Sequence, residues 1–112
     1  MNTQIVLVSG ATGRQGGAVI KHLVGRKGFR VRALTRDARG SAAKALAAAG
    51  VEVAVGDLEG QAALDAATQG AWGVFSVQDP WRHGVVAEIR QGINLADAAK
   101  RAGVEHFVYT SV

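Results

Sequence analysis

The sequence predicts a doubly wound α/β domain, in which helices cover both faces of one parallel sheet. Apolar, strand-like runs alternate with helix-like segments along the whole chain. The hydrophobic content of 48% comes mainly from aliphatic residues, as is typical of strands that are buried on both faces. The first apolar run also leads through closely spaced glycines directly into a helix. A chain of 112 residues suffices for one such domain, which we assign to residues 1–112.

Five apolar runs indicate the strands of the sheet. They lie at residues 4–9, 29–35, 51–55, 73–77 and 106–111. Right-handed crossovers through the intervening helices give a parallel sheet with the strand order 3-2-1-4-5. The carboxyl ends of the first and fourth strands then meet where the order reverses, and ligands bind in the crevice at this place.

Four helices are predicted from apolar spacing and from residues that begin or end a helix. The first covers residues 14–26, with helical spacing at Ala18, Val19, His22 and Leu23. Ser41 is expected to cap an alanine-rich second helix through Ala49, and Gly50 ends it. The third covers residues 60–69. The fourth covers residues 85–101, with one apolar face formed by Val85, Val86, Ile89, Ile93 and Ala96.

The glycines after the first strand have the spacing of a nucleotide-cofactor cradle. Gly10 allows a tight turn off the strand, Gly13 allows the backbone to approach a pyrophosphate, and Gly16 allows the helix to pack closely. The amino end of that helix directs free amides and a positive dipole end at the anion. The spacing G-x-x-G-x-x-G is one residue longer than the fingerprint of many dehydrogenases.

The residue after the second strand indicates which dinucleotide is preferred. NAD-selective enzymes place an acidic side chain there, whereas this chain has Arg36, twenty residues beyond Gly16. A guanidinium binds a 2′-phosphate through charge-assisted hydrogen bonds, so we expect NADP to bind more tightly than NAD. Arg14 is a candidate for a second contact. The alternative is that Arg36 pairs with Asp37 in a solvated turn.

Composition argues against several other classes of protein. The chain has no cysteine, and His22, His83 and His106 share neither spacing nor a face, so we expect no metal site. No apolar run is long enough to cross a membrane, and a cytoplasmic location is expected. The net charge of +4 is spread along the chain without clusters, which makes nucleic acid an unlikely partner.

Four segments together resemble a known family. They are Gly10–Gly17, Val31–Asp37, Gly56–Leu58 and Gly103–Ser111. In this order they are similar to the NmrA-like branch of the atypical short-chain dehydrogenase/reductases, specifically its N-terminal NAD(P)-binding Rossmann portion. The likeness extends over essentially the whole chain. Such proteins normally continue for well over a hundred further residues, so the resemblance implies a truncated member.

The resemblance also implies roles for residues at the carboxyl edge of the sheet. Thr12, Arg14 and Gln15 would line the pyrophosphate, and Arg36 would meet the 2′-phosphate. Asp57 and Leu58 would border the adenine, and Ser76, Val77 and Gln78 would approach the nicotinamide. For Asp57 the alternative is a turn residue that caps the next helix.

Two functions follow from this resemblance. The first is an NADP(H)-binding, redox-sensing regulator that performs no chemistry on a substrate. The alternative is the cofactor half of an NADPH-dependent oxidoreductase that acts on quinones or similar carbonyl compounds. No catalytic residue is assigned, because Tyr109 has no lysine four positions later to complete a Tyr-x-x-x-Lys pair. We also expect a homo-oligomer, formed through the exposed edge of the fifth strand or through the adjacent helix.

Overall fold

The structure, a computed structural model, describes residues 3–11, 14–36, 39–78 and 84–111. In these ranges five strands alternate with four helices. In chain order they are β1 (Gln4–Val8), α1 (Arg14–Leu23), β2 (Phe29–Thr35), α2 (Ser41–Ala48), β3 (Glu52–Val55), α3 (Gln61–Thr68), β4 (Ala71–Gln78), α4 (Val85–Arg101) and β5 (His106–Ser111). All neighbouring strands are parallel and their order is β3-β2-β1-β4-β5, which confirms the predicted fold class and topology.

The sheet has an apolar core on each face, as a doubly wound fold requires. Leu7 of β1 packs on one face with Leu64 of α3 and Leu95 of α4. Val8, the next residue of β1, packs on the opposite face with Ile20 of α1. Side chains alternate between the two faces of a strand, so the central strand β1 is buried on both sides and its carboxyl end is fixed within the fold.

Helix α1 is shorter than predicted, and its buried side includes only part of the predicted set. It ends at Leu23, and Gly25 follows with a φ of 90°. Ile20 is buried, Val19 and Leu23 are half-buried against the same cluster, and Ala18 and His22 are exposed. The buried line therefore runs from Gly16 through Ile20, four residues later, because the glycine sets where the helix approaches the sheet.

Two further predictions about helices differ from the structure. Gly40, with φ −62° and ψ 152°, is the N-cap of α2, and no side chain bonds there, so the capping role of Ser41 is wrong. In α4 the predicted apolar face is largely exposed, since the side that packs on the sheet consists of Leu95, Ala98 and Ala99. Alanines allow the helix to lie close to the sheet, and a search for large apolar residues overlooks them.

Strand β4 begins two residues before the predicted start and includes Trp72. The indole ring lies 5.7 Å from the ring of Phe29 and 4.4 Å from that of His106, centroid to centroid. Trp72 of β4 thus packs against rings of β2 and β5 near the amino edge of the sheet. None of the helices within the described ranges has the length and apolar character to cross a membrane.

Arg32 of β2 joins the sheet to the end of α3. Its guanidinium donates hydrogen bonds to the carbonyl oxygens of Ala67 and Gln69, at 2.7 and 2.8 Å, and to the carboxylate of Glu52, at 3.1 Å. The last carbonyls of a helix lack partners within the helix and carry partial negative charge. Arg32 supplies both hydrogen bonds and positive charge at that end.

Candidate functional site

Ser9 links the end of β1 to β4 at the point where the strand order reverses. Its N–H donates to the carbonyl oxygen of Phe75, at 3.1 Å. Its hydroxyl donates to the carbonyl oxygen of Val77, at 3.1 Å, and accepts from the N–H of Val77, at 2.8 Å. The side chain is fully buried. Ser9 was not among the predicted site residues, although the sequence has one signal for it, a small hydroxyl side chain between an apolar strand and a glycine.

Gly10 and Gly16 approach each other closely beside this link between β1 and β4. Gly10 has a φ of 61°, and a Cβ on it would lie 3.2 Å from both the Cβ and the carbonyl oxygen of Val77. A Cβ on Gly16 would lie only 2.1 Å from the carbonyl oxygen of Gly10. The structural reasons given for these two glycines are therefore confirmed: one permits the tight turn, and the other permits close packing of α1.

The amino end of α1 consequently stands over the crevice between β1 and β4. The helix begins at Arg14, and its first amides have no carbonyl partner within the helix. No acidic residue in its first turn competes for them. Thr12, Gly13 and the side chains of Arg14 and Gln15 lie outside the described part of the structure, so their predicted contacts stay predictions.

Arg36 follows β2 immediately, at the same edge of the sheet. Its side chain is exposed. The pairing of β2 with β3 reaches the residue before it through a hydrogen bond of 2.9 Å from the N–H of Gly56 to the carbonyl oxygen of Thr35. Arg36 thus follows a strand, β2, that pairs with β1 on one side and with β3 on the other. Asp37, its alternative partner, lies outside the described residues.

Asp57 forms the turn between β3 and α3. Its Oδ1 accepts a hydrogen bond from the N–H of Glu59, at 2.9 Å, and its carbonyl oxygen accepts one from Gly60, at 2.8 Å. The turn given as the alternative is present, but the N-cap of α3 is Gly60 and no side chain bonds there, so the capping role of Asp57 is wrong. Its side chain is exposed. Leu58 is half-buried against the core, and its carbonyl oxygen accepts from Nδ2 of Asn94, at 2.9 Å.

The end of β4 divides its three candidate residues between the two faces of the sheet. Val77 lies beside Gly10, as the distances above show. Ser76 is fully buried and, one residue earlier in the strand, faces the other layer. Gln78 pairs with Ser111 in the sheet, but its side chain lies outside the described part. Of the two described side chains of this group, the structure therefore brings Val77 next to the glycine turn.

The chain matches a known protein family over nearly its whole length. The model of the NmrA-like family matches residues 2–112. The chain belongs to the NmrA-like family. Among curated relatives, an NmrA-like family domain-containing oxidoreductase of Cladobotryum, FrzB, is 44% identical over 97% of this chain. The chain spans only about a third of the length of that relative, 34%.

Several solved structures share the same architecture. NmrA, a negative transcriptional regulator, was solved in complex with NAD and in complex with NADP. The two structures match this chain with TM-scores of 0.83 and 0.81 at 32% and 31% identity. The NADPH-dependent quinone oxidoreductase QOR2 of Escherichia coli, complexed with NADPH, matches with a TM-score of 0.81 at 33% identity. These matches cover 96 to 97% of this chain and 33 to 36% of theirs. Homologues of this NmrA-like chain therefore bind NAD and NADP(H).

Proposed function

We propose that this chain is the NADP(H)-binding module of an NmrA-like protein and acts as a redox-sensing regulator. In this function, the binding of oxidised or reduced nucleotide alters the conformation or association of the protein without chemistry on a substrate. The observation that carries the proposal is the approach of Gly16 to Gly10, which holds the amino end of α1 over the crevice at the reversal of strand order. That is the position at which doubly wound sheets bind pyrophosphate.

The pyrophosphate would lie against the amino end of α1. Its charge complements the positive end of the helix dipole and the unpaired amides of the first turn. Gly13 would leave room for the close approach, and Thr12, Arg14 and Gln15 would surround the phosphate oxygens. The absence of an acidic residue from the first turn of α1 favours an anion there.

Arg36 would select NADP over NAD. Its guanidinium is presented at the edge of the sheet by the strand next to β1. A planar guanidinium binds a phosphate through two parallel hydrogen bonds, and bonds to charged groups contribute about 1.5–3 kcal/mol each. NAD lacks the 2′-phosphate and would bind more weakly.

The remaining contacts would run along the same edge to either side of the glycine turn. Asp57 and Leu58, after β3, would border the adenine. Ser76, Val77 and Gln78, at the end of β4, would lie toward the nicotinamide. The hydrogen bonds that Asp57 makes to its own turn support a fixed position for its carboxylate.

The cofactor half of an NADPH-dependent oxidoreductase for quinones or similar carbonyl compounds is the second candidate. The likeness to QOR2, a quinone oxidoreductase, favours it. Oxidation of NADPH by this chain with a panel of quinones separates the two. Turnover supports the oxidoreductase, whereas nucleotide binding without turnover supports the regulator.

A thermal-unfolding titration with NADP⁺ and NAD⁺ tests the cofactor site. A ligand at one hundred times its dissociation constant adds about 2.7 kcal/mol to the free energy of unfolding. We expect NADP⁺ to raise Tm more than NAD⁺, and Arg36→Ala to abolish the difference. Arg30→Ala is the matched control, because Arg30 is an exposed arginine at the opposite end of the same strand. If neither nucleotide raises Tm, the proposed function is wrong.

A further inference from the structure

Helix α4 holds the turn that follows β3 through two of its side chains. We call Asp57, Leu58 and Glu59 the β3 turn. Nδ2 of Asn94 donates to the carbonyl oxygen of Leu58, at 2.9 Å. Nε of Arg90, one helical turn earlier, donates to Oε1 of Glu59, at 2.8 Å. The partners lie 36 and 31 residues apart in the chain, so both contacts attach the β3 turn to a distant helix.

Asn94 is the stronger of these two attachments. The ion pair of Arg90 with Glu59 joins side chains that are 56% and 37% exposed, and such pairs contribute little to the stability of a structure. Asn94 is half-buried, and the carbonyl oxygen that it bonds belongs to Leu58, whose side chain packs against the core. A partly buried hydrogen bond competes less with water than an exposed one does. The amide of Asn94 therefore fixes the turn more firmly than the guanidinium of Arg90.

The hydrogen bonds within the β3 turn shape it but do not attach it to α4 or to the sheet. Oδ1 of Asp57 accepts from the N–H of Glu59, at 2.9 Å, and the carbonyl oxygen of Asp57 accepts from the N–H of Gly60, at 2.8 Å. The side chain of Leu58 packs on the core, but apolar packing has no direction. The hydrogen bond from Asn94 supplies that direction and so sets where the carboxylate of Asp57 lies.

The carboxylate of Asp57 can distinguish between purine bases. Its Oδ1 is bonded within the turn, and an ionised carboxylate accepts several further hydrogen bonds. Adenine carries an exocyclic amine, which donates, whereas hypoxanthine carries a carbonyl oxygen at the same place, which only accepts. A carboxylate beside the base would attract the first group and repel the second. The position of Asp57 consequently decides how strongly adenine is preferred.

We propose that Asn94 is a positioning residue for the adenine end of the cofactor, since it holds the β3 turn and with it the carboxylate of Asp57. This inference rests on the proposed function, in which Asp57 borders the adenine. In that function the 2′-phosphate is bound by Arg36, which follows a different strand, β2. Loss of the hydrogen bond from Asn94 should therefore weaken recognition of the base and leave the preference for NADP over NAD unchanged.

Calorimetric titration with three dinucleotides tests the proposal. They are NADP⁺, NAD⁺ and nicotinamide hypoxanthine dinucleotide phosphate, in which hypoxanthine replaces adenine. We expect the wild type to bind NADP⁺ about tenfold more tightly than the hypoxanthine analogue, as a hydrogen bond to a charged group would give. Asn94→Asp keeps the size of the side chain but replaces its N–H donor by an acceptor. In this variant the base ratio should fall towards one, while the ratio of NADP⁺ to NAD⁺ is retained.

Arg101→Ala is the matched control for the titration. It breaks a different contact between α3 and α4, the ion pair of Arg101 with Asp65, at 2.7 Å, which does not involve the β3 turn. Both ratios should stay at their wild-type values. Asn94→Ala also removes the donor, and it favours the helix. It takes the place of Asn94→Asp if circular dichroism shows that variant to be unfolded.

Amide hydrogen exchange tests the positioning in the absence of nucleotide. The N–H of Glu59 is bonded to Oδ1 of Asp57 and should exchange faster in Asn94→Asp than in the wild type. The amides of β1, at the centre of the sheet, should keep their protection, which shows that the fold is intact.

The outcomes separate this inference from the proposed function. A wild type that binds neither NADP⁺ nor NAD⁺ refutes the proposed function, and the inference falls with it. A wild type that binds NADP⁺, together with an unchanged base ratio in Asn94→Asp, overturns the inference alone. Equal loss of affinity for all three dinucleotides overturns it as well, because that is the result of a merely structural role. An unchanged exchange rate at Glu59 does the same, since the turn would then be fixed without Asn94.

Discussion

Ser9 and Val77 exchange two hydrogen bonds across the point where the strand order reverses, with donor–acceptor distances of 2.8 and 3.1 Å. The hydroxyl of Ser9 bonds both the N–H and the carbonyl oxygen of Val77, as the backbone of a further residue would do in the pairing of β1 with β4. Because it is fully buried, its loss leaves the backbone groups of Val77 without this partner. The hydrogen bonds of the Ser9 side chain therefore hold β1 and β4 together at the base of the candidate crevice.

Ser9→Ala should lower the free energy of unfolding by about 1–3 kcal/mol, the usual penalty for an unsatisfied buried polar group. Urea denaturation measures the change. Ser41→Ala is the matched control, because Ser41 is exposed and caps no helix. It should alter the free energy by less than about 0.5 kcal/mol. Equal effects of the two substitutions would contradict the role given to Ser9.

Gly16→Ala should destabilise the fold and displace the amino end of α1. The added Cβ would lie 2.1 Å from the carbonyl oxygen of Gly10, which is backbone and has no rotamer to change. We expect a loss of about 3 kcal/mol, the upper end of the usual cost of overpacking, because the clash is with backbone. Gly17→Ala is a neighbouring control whose Cβ would lie 3.7 Å from the carbonyl oxygen of Ala11, an ordinary contact. It should be neutral or stabilise α1 by up to about 1 kcal/mol.

The two substitutions are compared by guanidinium denaturation and by NADP⁺ titration of whatever remains folded. A Gly16→Ala protein as stable as the wild type would show that α1 can retreat from Gly10 without loss. That result would remove the main support for the close approach of a pyrophosphate.

Arg32→Ala should lower stability by about 1.5–3 kcal/mol, the value for hydrogen bonds to charged groups. The side chain is only 11% exposed and serves two carbonyls at the end of α3 as well as Glu52. Arg101→Ala provides the contrast. Its ion pair with Asp65 is 45% and 42% exposed, and such pairs contribute at most about 1 kcal/mol. Thermal denaturation ranks the two, and a larger effect at Arg101 would refute the assignment.

The strand order was predictable because the signals for it are local. Each apolar run is short, and glycines such as Gly10, Gly25 and Gly50 stand at turns where the structure has positive φ. Together with right-handed crossovers, these signals leave few topologies for a parallel sheet. The glycine turn was likewise placed correctly, since its function in the fold depends on neighbours only a few residues away.

The errors concern relationships between distant parts of the chain. The partner of Ser9 lies 68 residues away and that of Arg32 lies 35 residues away, so no local pattern predicts either contact. In α4 the predicted apolar residues Val86, Ile89 and Ile93 are exposed, because Leu95 together with the small residues Ala98 and Ala99 makes the close contact with the sheet. Which side of an amphipathic helix is buried is decided by the neighbours, not by residue size alone.

The ring of His106 lies 4.4 Å from the indole of Trp72, which gives β5 an intrinsic optical reporter. Fluorescence from an indole changes when an adjacent imidazole moves away. Emission from Trp72, isolated in a Trp81→Phe background, would thus follow the detachment of the last strand separately from global unfolding. The emission of Trp72, measured with and without nucleotide, would then show without any label whether nucleotide bound at the carboxyl edge of the sheet stabilises β5 against detachment.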